Sequence, residues 1–392
     1  MNLQEIQAEL RAEKLDGWLF YDHHRRDPIA ARILGPGNGC MNTRRWFYMI
    51  PARGEPRKLV HRIESAALDH LPGKKTVYSG RDELESGLKK TLGGARKVAM
   101  QYSPRNEIFY VSMVDAGTVE LVRGLKCRVV SSADLVQLFE ATWTPAQAES
   151  HRAAGVLVDQ ITQAAFRRGA DFVRERRPLT EYDLVQWMVG EFRAKGLEAE
   201  DGPNVSVGPS SGDPHYEPRA GSSRPIREGE LMLLDVWAKL ARPDSVYYDI
   251  TWMGYLGAEV PERYAKIFSV LREARDAAVA FVQKNVRAGR PISGFQVDRV
   301  ARGIIDKAGY GKNFVHRTGH SIGRDVHGAG ANMDDLEIHD VRRILPHTCF
   351  SIEPGIYFPE FGVRTEVNVY VDERDAGTTG AVQRQILPLL AS

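Results

Sequence analysis

A few acidic and imidazole residues stand out because they interrupt runs that otherwise read as buried strand. Asp235 lies within Leu231–Val236 (LMLLDV), and Asp249 lies within residues 246–256 (VYYDITWMGYL). A carboxylate in such a run is costly unless it has a partner. The two are 249 − 235 = 14 residues apart, a spacing that allows a hairpin with both carboxylates on one face; loop-facing or capped acids are the other reading of a bare pair. Residues 315–328 (VHRTGHSIGRDVHG) hold His316, His320 and His327, three of the chain's 11 histidines. Gly319, Gly323 and Gly328 interrupt any helix there, so these imidazoles are presented from a loop or strand. Glu353 lies in residues 349–357 (CFSIEPGIY). In residues 362–371 (GVRTEVNVYV), a period of two puts Val363, Thr365, Val367, Val369 and Val371 on one face. Arg364, Glu366, Asn368 and Tyr370 then form the other, with the composition of a polar site wall or of a solvated sheet face.

Asp235, Asp249, Glu353, Glu366 and one imidazole make a coherent set. Four carboxylates without a matching cluster of Lys or Arg cannot all ionise at close quarters unless cations neutralise them. The chemistry this implies is a pair of divalent ions, Mn, Co, Fe or Zn, roughly 3.5–4 Å apart, bridged by shared carboxylates and activating a water.

These residues need a scaffold. Thr144 and Pro145 open a helical run in which Leu157, Ile161, Ala164 and Ala165 recur at helical spacing. Thr180 and Asp183 read as a capping box for a helix with a buried stripe of Leu184, Trp187, Met188 and Phe192, stopped by Gly196. Another helix follows Pro261, with Tyr264, Ile267, Phe268, Leu271 and Phe281 near one face. A further one begins near Ser293 and runs through Val300, Ile304 and Ile305 to Gly309. Upstream, residues 17–21 (GWLFY), 46–50 (WFYMI) and 98–101 are short strand-like runs between helical ones. The pattern changes at 141–145, so an α/β domain over 1–142 and a helix-covered sheet domain over 143–392 are expected, α+β in class.

The 392 residues are 43% hydrophobic and 27% charged, which excludes disordered, collagen-like and coiled-coil chains. The balance of 53 basic against 51 acidic residues, interleaved throughout, gives no support for nucleic-acid binding or a membrane-adhesive surface. No apolar run is long enough to span a bilayer. Glu5, Glu9 and Arg11 fall where a signal peptide would need apolar residues. Cys40, Cys127 and Cys349 are odd in number and scattered, which suits reduced thiols and a cytoplasmic location.

Taken in order, DVW, YYDITW, HRTGHSIGRDVH, SIEPG and GVRTE resemble the motifs of the pita-bread metallopeptidases, and within them of the Xaa-Pro aminopeptidase and prolidase group. The resemblance covers nearly the whole chain. It implies a creatinase-like α/β N-terminal domain, then a pita-bread catalytic domain, two divalent metal ions per chain with manganese expected, and a homodimer. Carried onto the matched positions, it implies that Asp235 and Asp249 hold one ion, that His320 and Glu353 hold the other, and that Asp249 and Glu366 bridge them. Glu353 would take the proton of the attacking water, His327 would contact the substrate and the tetrahedral intermediate, and His316 would support the site from behind. His215, in GDPHYEP, and Arg364 would line the substrate.

Two departures stand against the family pattern. The 14-residue gap is longer than usual, and Ala238 follows Asp235-Val236-Trp237 where a glycine is usual. Ala241-Arg242-Pro243-Asp244 carries turn chemistry, so an addition at the hairpin tip leaves the ligands in place, whereas a one-residue register slip would turn one aspartate away. Position 331, four past His327, is alanine where prolidases of this group carry an arginine for the dipeptide carboxylate. That favours longer peptides, with Arg324 or a residue from a partner's N-terminal domain as possible replacements. The reading that results is hydrolysis of the Xaa-Pro bond at the N-termini of proline-containing peptides. Its alternatives are an Xaa-Pro dipeptidase, a non-peptide hydrolase or lyase such as a creatinase-like enzyme, and a peptide-binding module without turnover. The last two go in the family with loss of ligands that are all present here.

Overall fold

The computed structural model describes residues 2–35 and 42–391; Cys40 lies outside the described residues. Cys127 and Cys349 are buried free thiols. The chain divides into two compact units, Met1–Glu140 and Ala141–Ser392.

In the first unit the apolar runs become a six-stranded sheet: β1 (Gly17–Asp22), β2 (Trp46–Pro51), β3 (Arg57–His61), β4 (Lys74–Tyr78), β5 (Lys97–Met100) and β6 (Arg128–Ser131), ordered β4-β3-β2-β1-β5-β6. β2 runs antiparallel to β1 and β3, and the remaining pairs are parallel. Every residue of β1 and β2 is buried, as expected of central strands covered on both faces. The helices are α1 (Leu3–Ala12), α2 (Pro28–Leu34), α3 (Arg81–Leu92), α4 (Ala116–Gly124) and α5 (Ala133–Val136). Leu84, Leu88 and Val122 pack on Leu19, Phe47 and Leu59, each such side chain contributing roughly 1.5–3 kcal/mol by burial.

The second unit is built on α6 (Pro145–Arg174), α7 (Glu181–Ala194), α8 (Glu262–Arg287) and α9 (Gly294–Lys307). Thr144 with Gln147, and Thr180 with Asp183, form reciprocal capping boxes, each cap contributing about 1 kcal/mol. Gly196 follows α7 at φ 70°, a conformation glycine adopts without strain. The strands are β7 (Leu197–Glu198), β8 (Asn204–Val207), β9 (Leu231–Leu240), β10 (Tyr248–Tyr255), β11 (Ser321–Ile322), β12 (Cys349–Ile352), β13 (Gly355–Phe358), β14 (Phe361–Arg364), β15 (Val367–Val371), β16 (Ala376–Thr379) and β17 (Leu387–Pro388). One sheet is ordered β17-β10-β9-β7 with β8 also on β9, a second β11-β12-β15-β16, and β13 pairs with β14. The result is a mixed α+β architecture. Among the described residues no helix is long and apolar enough to cross a membrane.

Alternation along β9 and β10 explains where the chemistry can sit. Met232, Leu234, Val236 and Ile250 face α6 and α7, where they meet Val158, Ile161, Leu184 and Met188. Leu231, Leu233 and Met253 therefore face the opposite way, into the core that α8 and α9 form with Phe350, Ile352, Val367 and Val369. Asp235, Asp249 and Thr251 share that inner face. One expectation needs correction: residues 362–371 are two strands in different sheets, β14 and β15, rather than one. The chain turns at Thr365 and Glu366, where Thr365 N–H donates to Pro354 O and Glu366 N–H to Thr251 O, both at 3.3 Å. Buried Arg275 donates to Thr365 Oγ1 at 2.6 Å behind the turn. A period-two pattern continues unbroken through such a turn and cannot reveal it.

Candidate metal centre

In the β9–β10 hairpin Asp235 stands opposite Thr251 and Asp249 opposite Trp237, so both aspartates project on one face despite the long gap. The extra length is taken up at the tip, where Asp244 pairs with Arg324 at 3.2 Å and Lys239 Nζ donates to Arg324 O at 2.9 Å.

His320 enters from the loop before β11, its N–H donating to Ser351 Oγ at 2.9 Å. Its Nδ1 lies 3.1 Å from Ser321 O and must carry the proton, because a carbonyl can only accept. Nε2 then presents a lone pair to Asp249 Oδ2 and Glu353 Oε1, each 3.4 Å away. Lone pair against two carboxylates is repulsive, and a cation resolves it. Asp249, His320 and Glu366 each offer one ligand atom, all within 4.8 Å of one another. Asp249 Oδ1 and Glu366 Oε1 are buried and have no hydrogen-bond partner. The other Glu366 oxygen accepts from Thr251 Oγ1 at 2.8 Å, and that hydroxyl in turn accepts from Arg364 Nε at 3.0 Å.

Arg364 is 5% exposed, and its Nη2 is paired with Asp235 Oδ2. Expected against substrate, it is instead enclosed among site carboxylates, so the cluster does contain one matching cation. From Arg364 a chain of bonds leads through Tyr357 to His316: the guanidinium bonds the Tyr357 hydroxyl, and that hydroxyl lies 2.8 Å from His316 Nε2. His316 Nδ1 donates to Arg317 O at 2.7 Å, so Nε2 accepts from Tyr357 and the ring is neutral; burial pushes its pKa down to about 4.

Burial drives the electrostatics of the cluster. It raises Asp235 to about 7, with Arg364 opposing and Asp249 and Glu353 adding to the rise. It also raises Asp249, and holds Glu366 far above the usual carboxylate range with Asp249 and Glu353 reinforcing it. Glu353 ends below its ordinary value, burial being outweighed by neighbouring positive charge, of which that of Arg364 persists when both imidazoles are neutral. Burial thus favours the protonated form of the other three carboxylates, and divalent cations can take the protons' place. The residues therefore fit a metal: one neutral imidazole and carboxylates with orphaned, buried oxygens, the hard and borderline donors that Mn, Fe, Co and Zn accept.

His327 lies on the exposed rim, its ring centroid 4.4 Å from that of His320. Its neighbour His320 and partial enclosure hold its pKa well below the ordinary range, with the charge of Arg317 acting the same way. His215 is exposed, its N–H bonded to Asp213 Oδ1 at 3.0 Å. Its loop is stapled by Glu181, a fully buried carboxylate at the start of α7. Glu181 accepts from Val207 N–H at 2.8 Å, from Arg224 N–H at 2.8 Å and from Tyr216 Oη at 2.6 Å, and so binds both ends and the middle of residues 208–224. Sequence reasoning missed Glu181, Thr251, Tyr357 and Asp298. Asp298 accepts from Thr318 N–H and Oγ1 at 2.9 and 2.8 Å, two residues before His320. Tyr357 stood inside the SIEPGIY run, where an aromatic reads as core; Glu181 reads only as a helix-start acid.

Comparison with known proteins places the chain among peptidases by family and fold. The chain is 28% identical over 333 residues, 84% of its length and 81% of the relative's, to the probable dipeptidase PepE of Mycobacterium bovis. It is 33% identical over 228 residues, 57% of its length and 55% of the relative's, to the Xaa-Pro dipeptidase of Lactobacillus helveticus. The crystal structure of dipeptidase PepE from Mycobacterium ulcerans superposes with a TM-score of 0.73 at 25% identity, covering 99% of this chain and 96% of that one. These likenesses carry the pita-bread fold. Residues 149–373 match the model of Metallopeptidase family M24, and the chain belongs to that family of metal-dependent hydrolases.

Proposed function

We propose that this chain is a dinuclear-metal-dependent peptidase that hydrolyses the Xaa-Pro bond at peptide N-termini. The observation that carries the proposal is the buried group Asp249, His320 and Glu366, whose orphaned oxygens and inward lone pair call for cations. Asp235, Asp249, His320, Glu353 and Glu366 would hold two divalent ions, with manganese proposed as the metal. When bound, the ions polarise the scissile carbonyl and acidify a water, which suits an imide bond that offers no N–H to ordinary peptidase sites. Glu353, held below its ordinary pKa with the charge of Arg364 acting on it, is in the form a base needs to take the water proton. His327, kept neutral at the rim, donates its N–H to the oxyanion that develops on the carbonyl. His316, Tyr357 and Arg364 hold Asp235 in orientation, and His215 borders the substrate. The enzyme acts as a homodimer in the cytoplasm.

A second reading, an Xaa-Pro dipeptidase, is favoured by the names of the relatives and by one cation. Ala331 is 7% exposed within the core, so no carboxylate anchor can act from that position, and Arg324 is committed to Asp244. The charge of Arg317 bears on both His327 and Glu353, which supports a carboxylate anchor there. Mass-spectrometric product analysis with Mn(II) on an Xaa-Pro dipeptide and an Xaa-Pro-Yaa-Zaa tetrapeptide, with a chelated control, tests both. Release of the first residue from the tetrapeptide supports the first reading, and cleavage of the dipeptide alone supports the second. Metal-loaded protein that cuts neither overturns the Xaa-Pro assignment.

A further inference from the structure

The first unit contains a cavity that the proposed peptidase chemistry does not use. Because β2 is antiparallel to β1 and β3, and β4 is parallel to β3, the carboxyl ends of β1, β3 and β4 and the start of β2 share one edge of the sheet. Open α/β sheets take their ligands at that edge. Here four separate segments converge on a cavity of about 260 Å³, bringing His23 after β1, Arg44 and Arg45 before β2, His61 at the end of β3, and Ser79 and Arg81 after β4.

Among the described residues no carboxylate lines this cavity. The neighbouring acids are spent on the backbone instead. Asp22 Oδ1 accepts from His23 N–H at 2.7 Å and Arg26 N–H at 2.8 Å, and its Oδ2 from Asn42 Nδ2 at 2.9 Å. Glu64 accepts from the N–H groups of Thr43 and Arg44 at 2.9 and 3.0 Å, and Glu83 from that of Ser79 at 2.6 Å. The same bonds fix the walls. Tyr78 Oη donates to Arg45 O at 2.8 Å, and Arg62 Nε to Ser79 Oγ at 2.8 Å. His61 Nδ1 accepts from Ile63 N–H at 3.2 Å, so its Nε2 proton points to Ser79 O at 3.3 Å. The charged side chains among the lining residues are Arg44, Arg45 and Arg81. Partial burial and the charges of His24, Arg26 and Arg45 accordingly hold the His23 imidazole below its ordinary pKa.

We propose that this cavity is a binding site for a small, doubly charged oxyanion, a phosphate monoester or a dicarboxylate, held by the guanidinium groups of Arg44 and Arg45 beside His23. Three arginines among the lining residues favour an anion over a cation, and the volume is below that of sites for drug-sized ligands, which begin at roughly 300 Å³. Planar guanidinium forks match both oxyanion types bidentately, so the chemistry the two share is what the site reads. This site is separate from the peptidase reading and does not depend on it.

Isothermal titration of the full-length, Mn-loaded protein with inorganic phosphate, and separately with succinate, at low ionic strength tests the proposal. Saturable binding at one site per chain is expected, weakened at least about tenfold in R44A or R45A, as for loss of a charge-assisted bond. Both arginines are exposed, so neither change threatens the fold. R45K keeps the charge and loses the fork, and falls between wild type and R45A. H320A leaves binding unchanged. Tighter phosphate marks a tetrahedral ligand, and tighter succinate a dicarboxylate. Binding that survives in R44A and R45A, or that disappears in H320A because the anion sits on catalytic metal, overturns the proposal, as does the absence of saturation at millimolar anion. No turnover enters the measurement, so the outcome stands whether or not Xaa-Pro peptides are cut.

Discussion

Asp235 and Asp249 are diagonal neighbours across the β9–β10 hairpin: Asp235 faces Thr251, Asp249 faces Trp237, and the offset of two positions keeps both carboxylates on the inner face. Any even offset would do so, and any odd one would send one of them among the apolar residues beneath α6 and α7. The long gap between them is therefore a property of the tip alone. Deleting Arg242, Pro243 and Asp244 is expected to leave bound metal at the wild-type stoichiometry. Deleting one residue inside β9, which slips the register, is expected to lose at least one ion. Elemental analysis of both purified variants decides it.

Thr251 links the two halves of the centre, accepting from Arg364 and donating to Glu366. T251V strips a partner from each of these buried groups. Partners behind metal ligands typically affect affinity or activity 10- to 100-fold, so a fall of about that size is expected, with T251S recovering most of it. Equal loss in T251V and T251S would mean that packing, not the hydroxyl, matters.

Metal should stabilise the fold through Glu366 and its neighbours. A ligand bound only by the folded state adds about 2.7 kcal/mol at a hundred times its Kd. Wild-type protein is expected to melt several degrees higher with Mn(II) than with chelator, and E366Q to lose most of that difference along with activity. A full Mn(II) shift in E366Q would exclude this residue as a ligand.

The Glu181–Tyr216 bond predicts a binding defect at a distance. Y216F breaks it but leaves the Val207 and Arg224 bonds to Glu181 intact. KM for peptide is expected to rise about fivefold or more with kcat nearly unchanged. Because His215 is the next residue, H215A and the double variant should show a similar rise rather than the product of the two. Multiplicative effects would separate the loop staple from His215.

His151 sets a pH limit on the second unit. It is 1% exposed, its Nδ1 donates to Tyr247 O at 2.6 Å, and its Nε2 lies 2.7 Å from Thr379 Oγ1. Burial pushes its pKa from 6.5 down to about 4. The unfolded chain therefore binds the proton first, so stability is complete above pH 6.5 and falls as pH drops, by up to about 1.4 kcal/mol per unit until about pH 4. Denaturant melts at pH 7 and pH 5 are expected to differ more for wild type than for H151Q; equal differences would exclude His151 as the source.

Much of the site could be read from residue types in order along the chain. Polar residues inside otherwise apolar strand runs are costly, so Asp235 and Asp249, one histidine of HRTGHSIGRDVH and the acids of SIEPG and GVRTE read as a set suited to cations. The helices were legible for a local reason: Thr144, Thr180, Pro261 and Ser293 carry their start signals within a few residues. Tertiary structure decided what depends on partners far apart in sequence. It divided 362–371 at Thr365, because Arg275 and the Thr251 carbonyl bind the turn from more than 80 residues away. It enclosed Arg364 with Asp235 and Tyr357 rather than facing it to substrate. It also gave Glu181 its three donors, from residues 26 to 43 positions downstream. Burial and orientation in each case arise from contacts that no local pattern encodes.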